Sequence, residues 1–257
     1  MLLAVAEADT DVVGVVLGGA RGKGDLVTER SDHDVHVIVR DDAACERWTA
    51  QHPFRHGDPV EVVVTTLDRF RAHPPDYTFA HVTPLLDRGG IAELVADKGR
   101  VDPATAGEAL DGYVNCYYRS AKNARDGRPL EARLDAAESI PYFLEFLFAA
   151  HGRVRPYNKW LRWELERHPL EPQWTADELL PRLERVLVGD LAEQQALFRD
   201  AERLARERGH GAVIDGWEPD VPWLRGDPSN EGRPGEKSLQ TDPPKGVPPH
   251  SKEGSGP

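Results

Sequence analysis

Cysteine, long apolar runs and positive charge are what this chain has least of. Its two cysteines, Cys45 and Cys116, stand far apart, which excludes a disulfide framework and a cysteine-based zinc cluster. No apolar run approaches the ~20 residues that a membrane span requires, so no membrane partner is expected. The N-terminus also lacks the basic region that precedes the apolar stretch of a secretory leader, and a reducing cytoplasm is the expected location. Lysine and arginine number 32 against 44 aspartates and glutamates, a formal net charge of -12. Non-specific nucleic-acid binding needs a cationic face; nucleic acid is therefore not an expected partner, whereas a cationic ligand is permitted.

What is present fits a soluble globular protein. Of 257 residues, 39% are hydrophobic and 30% charged, enough for one large domain or two smaller ones with separate cores. The most informative stretch runs from Gly18 to Val39. A β-branched run, Val12-Val13-Gly14-Val15-Val16-Leu17, reads as a buried strand. Gly18-Gly19-Ala20-Arg21-Gly22 follows, then a polar loop, then Asp32-His33-Asp34 leading into Val35-His36-Val37-Ile38-Val39.

Side chains alternate along a strand, so Asp32 and Asp34 share a face with their Cα atoms roughly 6.6 Å apart. Val35, Val37 and Val39 point the other way, towards a core. Two carboxylates on one face repel unless a cation lies between them. Mg²⁺, which takes one or two carboxylates plus substrate phosphates, resolves that repulsion. The glycines let backbone N–H groups come close to a phosphate.

The ordered set Gly18-Gly19, a polar loop, then Asp32-x-Asp34 on an apolar strand resembles the signature of the nucleotidyltransferase superfamily that includes DNA polymerase β. The fuller wording, Gly-Gly-Ala-Arg-Gly and then Ser31-Asp32-His33-Asp34, is similar to the aminoglycoside nucleotidyltransferase branch. That pattern expects a third acidic residue on a following strand, and Pro59-Val60-Glu61-Val62-Val63-Val64-Thr65 supplies Glu61. The resemblance covers roughly the first hundred residues. It implies Mg²⁺ held by Asp32, Asp34 and Glu61, with Glu61 either a metal ligand or the general base. It implies ATP, or another nucleoside triphosphate, cradled by Gly18, Gly19, Arg21 and Ser31. The implied reaction moves a nucleoside monophosphate onto a hydroxyl of a small molecule, such as an aminoglycoside-type antibiotic. A protein acceptor, as in antitoxin-like members, and a catalytically silent nucleotide-binding module are the alternatives.

Further along, 41–51 reads as a helix with Trp48 to bury, 60–66 as the third strand, and 67–71 as one helical turn. Val82-Thr83-Pro84-Leu85-Leu86-Asp87 reads as an edge strand, because proline cannot donate to a central ladder. Segment 91–98 stays open between strand and helix. The expected fold is α+β: a mixed sheet over 1–101 with flanking helices, set on one face and leaving the carboxylates on the other. A helical domain over 102–225 follows, with about five helices at 103–126, 129–151, 158–168, 176–188 and 191–208. In the second of these, Leu134, Ile140, Phe143, Leu144, Leu147 and Phe148 form the expected apolar face, and Pro141 a kink. From 226 to 257 Pro, Gly, Ser and Lys prevail, a composition that cannot offset ordering entropy and reads as disordered.

The candidate residues also have plainer readings. Asp32 and Asp34 fit turn and cap positions, Glu61 fits the exposed side of an edge strand, and Asp58 begins a turn. His36 shares the carboxylate face without a second histidine at ligand spacing, and His33 reads as exposed. Arg153-Val154-Arg155-Pro156-Tyr157-Asn158-Lys159-Trp160 is a solvated basic helix start, or a second phosphate-binding element through Lys159. Lys122, with Asn115 and Arg119, is a weaker candidate of the same kind. A polycationic acceptor would need carboxylates, for which Glu138, Glu145 and Glu164 are available, and the net charge would steer it inward. A monomer and a homodimer are equally compatible with the sequence.

Overall fold

The computed structural model describes residues 2–227; Met1 and residues 228–257, nearly all of the expected disordered tail, lie outside the described residues. The first part runs α1 (Leu2–Ala8), β1 (Val12–Leu17), α2 (Gly19–Lys23), β2 (His33–Val39), α3 (Asp42–Gln51), β3 (Val60–Thr66), α4 (Leu67–Ala72), β4 (Pro84–Asp87) and α5 (Ile91–Lys98). The four strands form one mixed sheet in the order β3-β2-β1-β4. β1 is antiparallel to both neighbours, while β2 and β3 are parallel. A parallel pair needs a crossover, and α3 supplies it. The Asp41 carboxylate caps α3 by accepting from Ala44 N at 2.9 Å.

The valine-rich strands bury both faces of the sheet. Val15, Val35, Val37, Val39 and Val62 pack on Ala6 of α1 and on Ala44, Cys45 and Trp48 of α3. Val16 and Ile38 face the other way, onto Phe70 of α4, Phe79, and Ile91 and Val95 of α5. Helices therefore lie on both faces, not on one as the sequence predicts. The reason is that Ile38, two pairs beyond Asp34 on the carboxylate face, is itself apolar and needs cover. Gly14 admits that cover, since a Cβ there would lie 2.6 Å from the Ile91 side chain. Segment 91–98 resolves as a helix because Asp87 accepts from the N–H groups of Gly89, Ile91 and Ala92, while Ile91 and Val95 fall on one face.

From a 3₁₀ turn at Pro103–Thr105 onward, the elements of the described residues are helical. The helices are α6 (Ala106–Arg125), α7 (Pro129–Ala150), α8 (Leu161–Arg167), α9 (Ala176–Leu187), α10 (Leu191–Glu207), α11 (Gly211–Asp215) and α12 (Val221–Leu224). They enclose a separate core around Leu110, Tyr117, Phe143, Leu147, Trp174 and Phe198. The last two helices are too short to show helical periodicity in the sequence. Even so, Ile214, Val221 and Leu224 are fully buried, and Tyr117 Oη donates to Leu224 O at 2.6 Å. Leu134, expected on the apolar face of α7, is 62% exposed; that face is completed instead by Ala132, Ala136 and Phe146.

Glu164 of α8 ties the helical part to the sheet. It is 1% exposed and accepts from Tyr77 Oη at 2.7 Å. His81 Nε2 lies 3.0 Å from the same carboxylate, which also pairs with Arg153. Burial pushes this carboxyl up, but the bonds from His81, Tyr77 and Arg153 outweigh it and hold its pKa at about 2. A depressed carboxyl contributes stability that is complete above its unfolded value, 4.5, and fades as pH falls towards 2. At ~1.4 kcal/mol per pKa unit the contribution is about 3 kcal/mol. Glu164→Gln should therefore lower stability at pH 7 by about that amount in urea unfolding, and the gap from wild type should close as the pH is lowered through 4.5. A gap that stays constant down to pH 3 would contradict this role.

Candidate active site

The site is built where β1 ends. Gly18 is extended, and its N–H donates to Asp34 O at 2.8 Å, tying the turn to β2. Gly19 follows with φ +59°, and a Cβ there would lie 2.0 Å from Asp34 Oδ2. Only glycine satisfies both the backbone angle and the close approach of that carboxylate. Gly22 is as constrained, because its Cβ would meet Leu17 O at 1.9 Å.

Asp32 lies one residue ahead of β2 and Asp34 within it. The parallel register sets Asp34 directly beside Glu61 of β3, so the three carboxylates converge, with one oxygen of each within 4.8 Å of the others. Burial, then the charges of Asp32 and Glu61, push the Asp34 carboxyl up, while Lys159 and Lys23 pull it down. Glu61 is 8% exposed. Its Oε1 accepts from Gly57 N–H at 2.6 Å and lies 3.2 Å from His56 Nδ1. Hard oxygen donors that crowd and repel one another in this way suit a divalent cation such as Mg²⁺.

The trio lines one wall of a cleft of about 540 Å³. Tyr77, Tyr157 and Trp160 supply its aromatic lining, joined by Lys159 from the helical part. Tyr157 Oη donates to Asp76 Oδ1 at 3.0 Å, and Asp76 also accepts from Thr78 N–H. Six sequence-predicted residues come together here: Gly19, Ser31, Asp32, Asp34, Glu61 and Lys159. Two do not reach the lining. Gly18 lies behind it, and Arg21 donates Nε to Ser31 O at 3.0 Å, bracing the polar loop.

Sequence reading missed Lys23 and Arg30, which also line the cleft. Lys23 Nζ donates to Tyr77 O at 3.0 Å and Thr78 O at 3.3 Å, and lies 4.8 Å from the Tyr77 ring centre. Burial lowers its pKa to about 8 against the pull of Glu164, Asp76 and Asp34. The available signal was its place one helical turn after Gly19. What hid it is the Tyr77–Thr78 carbonyl pair, which lies more than fifty positions further along the chain.

Other candidates fall elsewhere. Arg153 pairs with Glu164, and Arg155 donates to Asn158 Oδ1 at 3.0 Å. Lys122 lies by Tyr118, and Arg119 pairs with Asp135 and Glu138. Asp58 donates its N–H to Arg55 O in the turn before β3. His36 lines the cleft but packs edge-on against Phe79, ring centres 4.9 Å apart. Burial takes its pKa to about 4, so it is a neutral packed ring at pH 7. The acidic lining expected from the helical part is not there: Glu164 is buried at the joint, Glu138 is held by Arg119, and Glu145 is exposed outside the cleft.

The fold and site thus describe an α+β chain with an acidic trio in a cleft that basic and aromatic side chains also line. No family model matches the chain, and no curated protein matches it. Among solved structures it is similar to a nucleotidyltransferase-like protein from Exiguobacterium sibiricum 255-15 at 11% identity. That match covers 84% of this chain and 88% of the other, with a TM-score of 0.36. No helix among the described residues is long and apolar enough to cross a membrane.

Replacing Asp34 by Asn removes one of three repelling charges at nearly constant volume. The metal-free variant should melt no lower than wild type, yet lose the stabilisation that millimolar Mn²⁺ gives wild type. Calorimetric titration with Mn²⁺ checks this directly. Equal Mn²⁺ affinity in the two proteins would show that the trio is not a cation site.

Proposed function

We propose that the chain is a nucleotidyltransferase. In this reading it transfers a nucleoside monophosphate, AMP from ATP in the first instance, to a hydroxyl of a small molecule. The observation that carries the proposal is the trio of Asp32, Asp34 and Glu61, converging in a cleft that Lys159 also lines. The glycine-turn wording around it supports the same reading.

Asp32 and Asp34 would hold Mg²⁺, with Glu61 completing the set or acting as base; bound there, the ion would offset negative charge on the phosphates. Lys23, Arg30 and Lys159 hold the triphosphate and leave the α-phosphorus facing the trio. The acceptor oxygen bonds to the α-phosphorus as the bond to pyrophosphate breaks, and the hydroxyl proton passes to Glu61. His56, 92% exposed and in contact with Glu61 Oε1, gives that proton a way out to solvent. Tyr77 and Trp160, braced by Lys23, keep the cleft wall in place behind the phosphates.

The test is a thermal melt with each nucleoside triphosphate, with and without Mg²⁺. Ligand at a hundred times its dissociation constant adds about 2.7 kcal/mol, which for a chain of this size is a shift of several degrees. The shift should require the metal. Glu61→Gln should then cost ~10² to 10⁴ in turnover, measured as pyrophosphate release, if Glu61 is the base; a collapse of metal affinity instead would make it a ligand. No triphosphate-dependent shift would remove the assignment.

Lys23 adds a pH dependence. A lysine titrating at about 8 is cationic below that value and loses its charge above it. Triphosphate affinity should weaken between pH 7.5 and 9 in wild type. Lys23→Arg, which stays charged, should flatten that limb, and Lys23→Met should weaken binding by about tenfold below pH 7.5 and converge on wild type as the pH rises past 9. An unchanged limb in Lys23→Arg would assign the titration elsewhere.

A further inference from the structure

The acceptor hydroxyl has to arrive beside Glu61, and the surface there is apolar. Phe54 and Val63 line the cleft together with Glu61. Phe54 is 54% exposed and Val63 39%. Val63 follows Glu61 by two residues on β3, opposite His36, and so stands on the carboxylate face. An adjoining hollow extends this shelf outward past Thr49 and His52. The side chain that touches Glu61 Oε1, at 3.2 Å, is His56, not an acid.

The charges within the cleft point the same way. Among the described residues that line it, the carboxylates are those of the trio, and Lys23, Arg30 and Lys159 oppose them. The neighbouring Asp76 is engaged by Tyr157 Oη and Thr78 N–H. An ammonium group placed on the shelf would find no carboxylate apart from those assigned to the metal and the proton. An apolar face placed there would cover two side chains that water now wets.

We propose that the acceptor is an uncharged hydroxyl compound that lays an aromatic or aliphatic face on Phe54 and Val63, with its hydroxyl at Glu61. A polyamino sugar does not fit this surface. The inference rests on the nucleotidyltransferase reading of the same cleft and narrows its substrate class. The bonding changes are those already given: the acceptor oxygen gains phosphorus, pyrophosphate leaves, and Glu61 takes the proton.

The probes are benzyl alcohol and kanamycin, added to the full chain loaded with ATP and Mg²⁺. Binding is read by fluorine NMR of protein carrying 4-fluorophenylalanine, with the Phe54 signal assigned through Phe54→Leu. Benzyl alcohol should shift the Phe54 signal saturably at millimolar concentration, and kanamycin should not at the same concentration. Val63→Thr, which keeps β-branching and the strand, should weaken the benzyl alcohol response about threefold or more. A Phe54 shift with kanamycin at lower concentration, or none with benzyl alcohol, overturns the proposal. The melting shift with ATP and Mg²⁺ alone is measured on the same samples. Its absence would overturn the nucleotidyltransferase reading, whatever the probes do.

Discussion

Three carboxylates brought within 4.8 Å of one another resist their own assembly, and most of the first part of this chain can be understood as what holds them there. The parallel register of β2 and β3 sets Glu61 beside Asp34. Gly18 N–H fixes Asp34 from the β1 side, and Gly57 N–H fixes Glu61 from the turn before β3. Backbone bonds suit this task because they belong to a ladder that the valine cores on both faces stabilise independently. Burial first, and then this repulsion, raise the Asp34 carboxyl. The repulsion is a local cost of the kind that folds retain where a cation or a reaction relieves it.

The aromatic lining depends on a different interaction. Tyr77 belongs to the sheet part, but its hydroxyl ends on Glu164 of the helical part. Its carbonyl and ring hold Lys23. Trp160, one residue after Lys159, packs with Tyr77 and Ala20. Lys23, Lys159 and the aromatic wall therefore share one junction, whose buried carboxylate is matched by Arg153 and His81. Breaking such a pair leaves an uncompensated buried charge. The position of Lys159 relative to the trio is thus set by Glu164, a residue that the sequence offers only as a candidate for the cleft lining.

The legible parts of this chain share one physical property: they are local. The β-branched runs at Val12–Leu17 and Val60–Thr66, the helix with Trp48 to bury, and the spacing of Asp32 and Asp34 are all encoded within a few residues, and the structure follows them. The missed parts are long-range or too short for a period. Segment 91–98 became a helix through a cap at Asp87, outside the segment itself. α11 and α12 are held by packing onto α6, not by pattern. Lys23 acquires its place from two carbonyls more than fifty positions away. Arg21, more prominent in the motif, spends its Nε on Ser31 O.

Charge shows the same difference of scale. A net charge of -12 invites the expectation of a cationic ligand, yet the cleft itself sets three cations against three carboxylates. Screening confines an exposed charge to about 8–10 Å at physiological salt. A ligand inside the cleft therefore responds to Lys23, Arg30, Lys159 and the trio, and hardly at all to acidic side chains spread over distant helices. Net charge governs solubility and the approach of a ligand. Which group rests beside Glu61 is decided at contact range, where Phe54 and Val63 present apolar surface and His56 is the ionisable neighbour.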